Sequence, residues 1–152
     1  MHFNTNNNKV VFYFSLFIEF TMILGHGIDI VDLKRIEKTY NKFGERFINK
    51  FLTEGEKQLI SHRKNIIGQL AKHWAVKEAV SKAVGCGLIN GSPLHFKDIV
   101  LSHNIANMPI IVITPELQNI VEYIHSCSDF TFHISTSGDA GVVIASVILE
   151  IR

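Results

Sequence analysis

The stretch from Ala71 to Gly85, AKHWAVKEAVSKAVG, places the strongest constraint on how this chain can fold. Its small and branched apolar residues predict a helix that is buried in the core. The polar side chains of this stretch include Lys77, Glu78, Ser81 and Lys82. Residues four apart share a helical face, so Trp74, Glu78 and Lys82 are expected to line up. A carboxylate among small apolar groups is costly unless a cation or hydrogen bonds satisfy it, which makes this helix a candidate site.

A second acid, Asp29, lies far upstream in GHGIDIV (25–31), an apolar segment with the character of a strand. Two acids on regular elements, with a lysine beside one of them, indicate a site for a hard metal ion and phosphate. Spacing alone leaves ordinary alternatives open. Glu78 and Lys82 could form a surface pair worth about 0.2–0.5 kcal/mol, and Asp29 could start a turn or cap the following helix.

Four blocks of the sequence, taken together, resemble a known family. They are GIDIVDLKRI (27–36), FLTEGE (51–56), WAVKEAVSKAVGCG (74–87) and HISTSGD (133–139). In this order they are similar to the holo-acyl-carrier-protein synthases, the small phosphopantetheinyl transferases of fatty-acid synthesis. The resemblance runs from about Met22 to Glu150. Its most specific part is the block that begins at Trp74, and the final block departs from the family pattern.

The resemblance implies an activity and an assembly. Such enzymes move the phosphopantetheine arm of coenzyme A onto a serine of an acyl carrier protein and release 3′,5′-ADP. The pyrophosphate and the transition state are both strongly anionic, so catalysis depends on positioning and charge neutralisation. Mg²⁺ is well suited to this role. The family works as a homotrimer with active sites at the subunit interfaces. The same assembly and a phosphopantetheinyl-transferase-like fold are therefore expected here.

The resemblance also assigns roles to the polar residues of the helix. Asp29 and Glu78 would hold the metal, and Lys82 would bind a phosphate oxygen as a point charge. Lys77 would reach another phosphate, and Ser81 would help to position the pyrophosphate. For each residue an ordinary role stays open: Lys82 could only pair with Glu78, Lys77 could be solvated, and Ser81 could simply be packed.

His133 begins the block that resembles the family's His-Val-Ser strand, so the resemblance places it near the nucleotide or the incoming hydroxyl. Ser135 shares its strand face and would line the same site. A lone histidine on a strand is often structural. A metal-bound water is an equally good general base, because the cation lowers its pKa.

Three positions depart from the family pattern. His73 stands where arginine is usual, which weakens a permanent phosphate contact because histidine is mostly neutral near pH 7. Gly138 stands where a second histidine is common. Asn107-Met108-Pro109 replaces Gly-Lys-Pro; asparagine tolerates the left-handed geometry of this turn, but the lost lysine puts a nucleotide contact in doubt.

A basic region follows the first acid. Its candidate partner-binding residues are Lys34, Arg35, Lys38, Lys42 and Arg46. Lys34, Lys38 and Lys42 form a ladder on one helical face. The ordinary interpretation is a solvated face, and the functional one is a dock for an acidic helical protein such as an acyl carrier protein. The patch is local and lacks interleaved aromatics, so no nucleic-acid partner is expected.

Length and composition bound the remaining possibilities. The chain has 152 residues, 47% of them hydrophobic, and a net charge of +1, which favours one globular domain. Cys86 and Cys127 have no metal or redox spacing, as expected of a reduced, cytoplasmic chain. The apolar run 10–18 is too short to span a membrane, so neither a transmembrane segment nor a membrane partner of the domain is expected. We expect residues 1–21 to be an extension before the domain at 22–152, through a mis-assigned start codon or as an appendage packed on the domain or on a membrane surface.

Hydrophobic periodicity predicts an α+β fold with an antiparallel sheet, packed helices and the order β-α-α-α-β-β-α-β-β. The predicted strands lie at 22–31, 96–103, 109–114, 130–137 and 141–151. The predicted helices begin after Asp32, after Thr53, near Ile66 and after Thr114. These elements and the resemblance together indicate a Mg²⁺-dependent phosphopantetheinyl transferase. The alternatives are a non-catalytic trimeric module that binds carrier protein or nucleotide, and a transferase that serves a secondary pathway.

Overall fold

The computed structural model describes residues 22–151, so the predicted extension at 1–21 lies outside the described residues. The strands are β1 (Met22–Asp32), β2 (Val100–His103), β3 (Pro109–Val112), β4 (Phe130–Asp139) and β5 (Val142–Ile151). The helices are α1 (Leu33–Phe43), α2 (Glu45–Phe51), α3 (Glu54–Ser61), α4 (Ile66–Val84) and α5 (Pro115–His125). A short 3-10 turn at Phe96–Asp98 precedes β2.

The strands form two antiparallel sheets. One sheet has the order β1-β5-β4, and β2 pairs with β3 in a separate hairpin. Helix α4 packs across β1 and β5 and covers one face of the larger sheet, which we call the inner face. Four residues of β5 are buried there: Val143, Ala145, Val147 and Leu149. The predicted α+β class with antiparallel strands is confirmed.

The order of elements differs from the prediction in one helix and part of one strand. Gly44 has a φ of 51° and ends α1, and a new helix, α2, begins at the next residue. Four helices therefore separate β1 from β2, where three were predicted. Residues 96–98 form a 3-10 turn instead of the start of a strand, because the Asp98 carboxylate accepts a hydrogen bond from the backbone N–H of His95 at 2.8 Å.

The predicted helix boundaries carry their expected caps. The Asp32 carboxylate accepts from the backbone N–H of Lys34 at 2.7 Å and caps α1. Thr53 and Glu56 form the expected capping box at the start of α3. Gly85 ends α4 in the left-handed conformation, with a φ of 89°. The cap at Asp32 fixes where β1 stops and the basic helix starts.

Two glycines let β1 lie directly against α4. A Cβ added at Gly25 would stand 1.9 Å from the carbonyl oxygen of Ala83, and one at Gly27 would stand 1.9 Å from that of Ala79. Both distances are far inside van der Waals contact, so only glycine permits this approach. The close contact sets how near the next inner-face residue of β1, Asp29, comes to the helix.

We predict that Gly27→Ala destabilises the protein by about 1–3 kcal/mol, because the backbones of β1 and α4 must separate. The measurement is a urea or thermal unfolding curve. Gly55→Ala is the matched control, since a Cβ at Gly55 meets nothing within 4 Å. This substitution in helix α3 should stabilise by up to about 1 kcal/mol. Equal unfolding midpoints for the two variants would contradict the close-contact argument.

Candidate functional site

Asp29 and Lys82 meet where β1 crosses α4. The Lys82 ammonium lies 2.9 Å from Asp29 Oδ1 and also donates to the backbone carbonyl of Ile28 at 2.8 Å. The Asp29 side chain is 16% exposed and the Lys82 side chain 48% exposed. The lysine thus contacts the strand, and Asp29 neither caps α1 nor starts a turn. The pair with Glu78 that spacing alone allowed is replaced by this contact between helix and strand.

Glu78 lies one turn before Lys82 and is half-buried. Burial raises the pKa of the Glu78 carboxyl, and the neighbouring Asp29 carboxylate raises it further. Lys82 and Arg35 act in the opposite direction. The sequence therefore brings two acids, a lysine and an arginine from four separate positions to one place. Asp29, Glu78 and Lys82 are called the acid–lysine site below.

Lys77 does not join this site. Its side chain is fully buried, and its ammonium donates to Glu56 Oε2 at 2.8 Å and to the backbone carbonyls of Phe51 at 2.8 Å and Phe96 at 2.9 Å. Burial lowers the pKa of Lys77, and the Glu56 carboxylate opposes that shift. All three N–H groups are used inside the protein, so the predicted phosphate contact does not fit this geometry.

Ser81 is also buried, and its hydroxyl donates to the backbone carbonyl of Glu78 at 2.8 Å. Such a bond back to the preceding turn is common for a helical serine. Its side chain is enclosed by the core, which fits the packing role that the sequence left open better than a pyrophosphate contact. Of the four candidate site residues predicted in this helix, Glu78 and Lys82 belong to the acid–lysine site.

His133 and Ser135 lie on the other face of the sheet. Asp29 pairs across the sheet with Ala145, whereas His133 pairs with Ile148 and Ser135 with Ser146. Neighbouring residues of a strand point to opposite faces, so Asp29 faces α4 while His133 and Ser135 face outward. Their predicted shared face is correct. Within one chain, however, the sheet separates both of them from the acid–lysine site.

The outer face also holds a carboxylate that sequence reasoning missed. The Glu150 carboxylate on β5 accepts a hydrogen bond from His133 Nε2. No motif marks Glu150 in the sequence, because the contact joins residues on two strands. The available signal is strand alternation, which places both residues on one face once the β4–β5 hairpin is known.

The three departures take distinct forms. His73 is buried, with its ring Nδ1 bonded to the carbonyl of Gln69 at 2.9 Å, and burial lowers its pKa. It is therefore neutral near pH 7 and faces the core. Asn107 has a φ of 59°, so the altered turn keeps its left-handed residue, and the Met108 side chain beside it is exposed. Gly138 lies near the end of β4.

The five predicted partner-binding residues, Lys34, Arg35, Lys38, Lys42 and Arg46, are all exposed on α1 and α2. Beside them a cleft of about 390 Å³ opens between α1, α2 and α4. Its lining consists of Thr39, Phe43, Arg46, Phe47, Lys50 and Trp74. The lining thus combines three aromatic rings with two cationic side chains.

Within residues 22–151, no three or more histidine, cysteine, aspartate and glutamate side chains form a group that could hold a metal ion. Over the same range, no helix is long and apolar enough to cross a membrane.

Comparison with known proteins identifies relatives of this chain. The family model of the 4′-phosphopantetheinyl transferase superfamily matches residues 25–135. The holo-[acyl-carrier-protein] synthase of Cereibacter sphaeroides is 33% identical over 132 residues, which cover 86% of this chain and 95% of that protein. The synthase of Vibrio cholerae is 33% identical over 131 residues, covering 86% of this chain and 100% of that protein.

Solved structures agree in fold. The holo-[acyl-carrier-protein] synthase of Neisseria meningitidis superimposes with a TM-score of 0.75 at 35% identity, covering 84% of this chain and 98% of that one. The Helicobacter pylori synthase, solved in complex with coenzyme A, gives 0.69 at 33% identity and covers 82% and 98%.

We predict that Glu78→Gln raises thermal stability at neutral pH in metal-free buffer. The folded pKa of Glu78 lies above its ordinary value of 4.5, so ionisation weakens the fold as pH rises through that range. The gain should disappear below the ordinary pKa, where both states are protonated. Melting curves across pH test this, with the exposed Glu37→Gln as control. A stability difference that is independent of pH would contradict the assignment.

Proposed function

This chain belongs to the 4′-phosphopantetheinyl transferase superfamily, and we propose that it acts as a holo-acyl-carrier-protein synthase. It would transfer the phosphopantetheine arm of coenzyme A to a serine of apo acyl carrier protein in fatty-acid biosynthesis. The observation that carries this proposal is the acid–lysine site, in a chain that matches named synthases over nearly their whole length.

The reaction forms a bond between the serine oxygen and the β-phosphorus of coenzyme A and breaks the bond to the leaving 3′,5′-ADP. Negative charge gathers on the transferred phosphoryl group and on the leaving group, so fixed cations nearby lower the barrier. Lys82 is half exposed and held in place by Asp29 and the Ile28 carbonyl. Its ammonium is therefore directed and still accessible to a phosphate oxygen.

The donor set of the site fits Mg²⁺. This ion prefers oxygen ligands, and one or two carboxylates with water and substrate phosphates complete its shell. Burial raises the pKa of Glu78 and the neighbouring Asp29 carboxylate raises it further, and a divalent cation held by both carboxylates would offset these effects. When bound, the ion would supply charge neutralisation at the pyrophosphate. Asp29 and Glu78 would hold it, and Lys82 would then be free to exchange Asp29 for a phosphate.

We infer a homotrimer in which one protomer supplies the acid–lysine site and its neighbour supplies His133 and Ser135. Within one chain the sheet keeps these groups apart. The outer face also exposes a row of isoleucines: Ile28, Ile30 and Ile144, with Ile30 61% exposed. Apolar surface of this kind favours association. The molar mass in solution tests the inference, and a monomer at working concentration would contradict it.

The basic residues of α1 and α2 would bind the acyl carrier protein. Arg35 lies close enough to Glu78 to affect its pKa, so a carrier bound along α1 would lie beside the reacting groups. The adjoining aromatic cleft would receive an apolar side chain of the carrier. Because coenzyme A would bind through its phosphates, the carrier and coenzyme A can be tested separately.

The proposed catalytic domain is 22–152. We expect the extension at 1–21 to be dispensable, so that a chain starting at Met22 keeps its activity in the transfer assay described below. Both cysteines, Cys86 and Cys127, are free thiols, which supports a reducing, cytoplasmic location.

We predict that the protein adds phosphopantetheine to apo acyl carrier protein in the presence of coenzyme A and Mg²⁺, measured as a mass gain on the carrier. Glu78→Gln and Asp29→Asn should each lower turnover on the order of a hundredfold or more, the scale of losing one preorganised electrostatic group. Glu116→Gln, an exposed acid on α5, is the control. Near-normal turnover in either site variant would contradict the two-carboxylate assignment.

The wild-type arm of that assay also separates the alternatives. Binding of coenzyme A or carrier without any transfer would indicate a non-catalytic module. Transfer to a carrier domain of a secondary pathway, but not to a fatty-acid carrier, would indicate a different partner class. Retention of Asp29, Glu78 and Lys82 in one place favours turnover.

We further predict that Lys38→Glu raises the apparent KM for the carrier and makes the remaining binding less sensitive to salt, because an attractive surface charge becomes repulsive. The KM for coenzyme A should change little. Glu116→Lys, a charge reversal on α5, serves as the control. An unchanged KM for the carrier would mean that this face of α1 is only solvated.

A further inference from the structure

We propose that Glu150 is a positioning residue: it fixes the His133 ring so that Nδ1 is the nitrogen presented to the reacting groups. The inference rests on the proposed function, in which His133 of one protomer completes the acid–lysine site of its neighbour. Glu150 itself touches no substrate in this account, and it acts only through the histidine.

The geometry of the β4–β5 hairpin brings the two residues together. His133 pairs with Ile148 and Thr131 pairs with Glu150, so Glu150 is the diagonal neighbour of His133 on the outer face. Diagonal neighbours lie within reach of long side chains, and the carboxylate binds Nε2 of the ring. His133 is 57% exposed and Glu150 25% exposed, so the carboxylate is held against the sheet while the ring remains open.

This contact decides which ring nitrogen is available. A carboxylate accepts hydrogen bonds, so the neutral ring carries its proton on Nε2 and leaves a lone pair on Nδ1. Nδ1 can then accept the proton of the attacking serine hydroxyl. If the ring is already charged, Nδ1–H can instead donate to a phosphate oxygen. In both cases Nδ1 is the atom that acts. Whenever both ring nitrogens carry a proton, the Glu150 carboxylate compensates the positive charge of the ring.

A second histidine on the same face shows the contrast. His26 pairs with Ile148 from the other side, and its Nε2 lies 3.0 Å from the hydroxyl of Ser146. A hydroxyl both donates and accepts, so it selects neither tautomer and offers no charge to the ring. Of these two outward-facing histidines, His133 therefore has the partner suited to proton transfer or to contact with an anion.

The experiment combines a spectroscopic and a kinetic measurement on the full chain. Nitrogen-15 signals of labelled histidines report the tautomer of His133 in wild type, Glu150→Gln and Glu150→Ala. Steady-state transfer to apo carrier is measured for these proteins, for His133→Ala and for the double variant, with Glu116→Gln as control. Glu150→Gln keeps the shape and one acceptor oxygen but adds an N–H donor, so it should weaken the tautomer preference and retain part of the activity.

We expect Glu150→Ala to lose the single tautomer and to lower kcat roughly ten- to a hundredfold, because a positioned proton acceptor contributes on the order of 10²–10⁴-fold and this substitution removes only its orientation. The KM for the carrier should stay within about twofold of wild type, an expectation that follows because α1 and α2 bind the carrier. In the His133→Ala background, the same substitution should have no further effect, since Glu150 acts through the ring.

Two results would overturn the proposal. One is an unchanged His133 tautomer with unchanged kcat in Glu150→Ala. The other is an equal loss of activity in the presence and absence of His133, which would assign Glu150 to folding or assembly. An inactive wild type would count against the proposed function instead, and the nitrogen signals would still decide whether Glu150 sets the tautomer.

Discussion

The buried ion pair between Lys77 and Glu56 holds the site's framework together. The Lys77 ammonium on α4 donates to the backbone carbonyls of Phe51 and Phe96. The other carboxylate oxygen of Glu56 accepts a hydrogen bond from the backbone N–H of Leu101 at 3.0 Å. A buried ion pair is tolerated only when its remaining donors and acceptors are satisfied, as they are here. One interaction thereby fixes α4 against the end of α2, the start of α3, the 3-10 turn and β2.

That pair also sets the rotation of α4 about its axis. Adjacent helical residues point about 100° apart, so turning Lys77 inward directs Glu78 toward β1. The glycine contact then brings β1 close, and Asp29 comes within reach of Lys82. The buried lysine and the half-exposed acid are thus two results of one helix orientation. The other inward positions of α4 pack against the core and are filled by apolar residues, so the helix is apolar on most sides.

Local signals predicted much of this arrangement. The bounds of α4 were predicted from its apolar run and from Gly85. The placement of Asp29 on a strand was predicted from the apolar residues around it. Two features could not be read locally. Gly44 indicates that the first helix ends there, but no residue beside it indicates whether a second helix follows. The partner of Lys77 is 21 residues away, so whether that lysine meets solvent, phosphate or Glu56 depends on how α3 packs.

The candidate site residues lie on two faces of one sheet, and this separation has a physical consequence. Strand alternation told us that His133 and Ser135 share a face, but not which face α4 would cover. Since α4 covers the Asp29 face, the two groups can act on one substrate only if a second copy brings its outer face alongside. Assembly would then be part of catalysis, and the exposed isoleucines of the outer face would help to bring a neighbour's His133 into place as well as to bury surface. Glu150 lies on the same sheet as the ring, where strand register fixes its position beside His133.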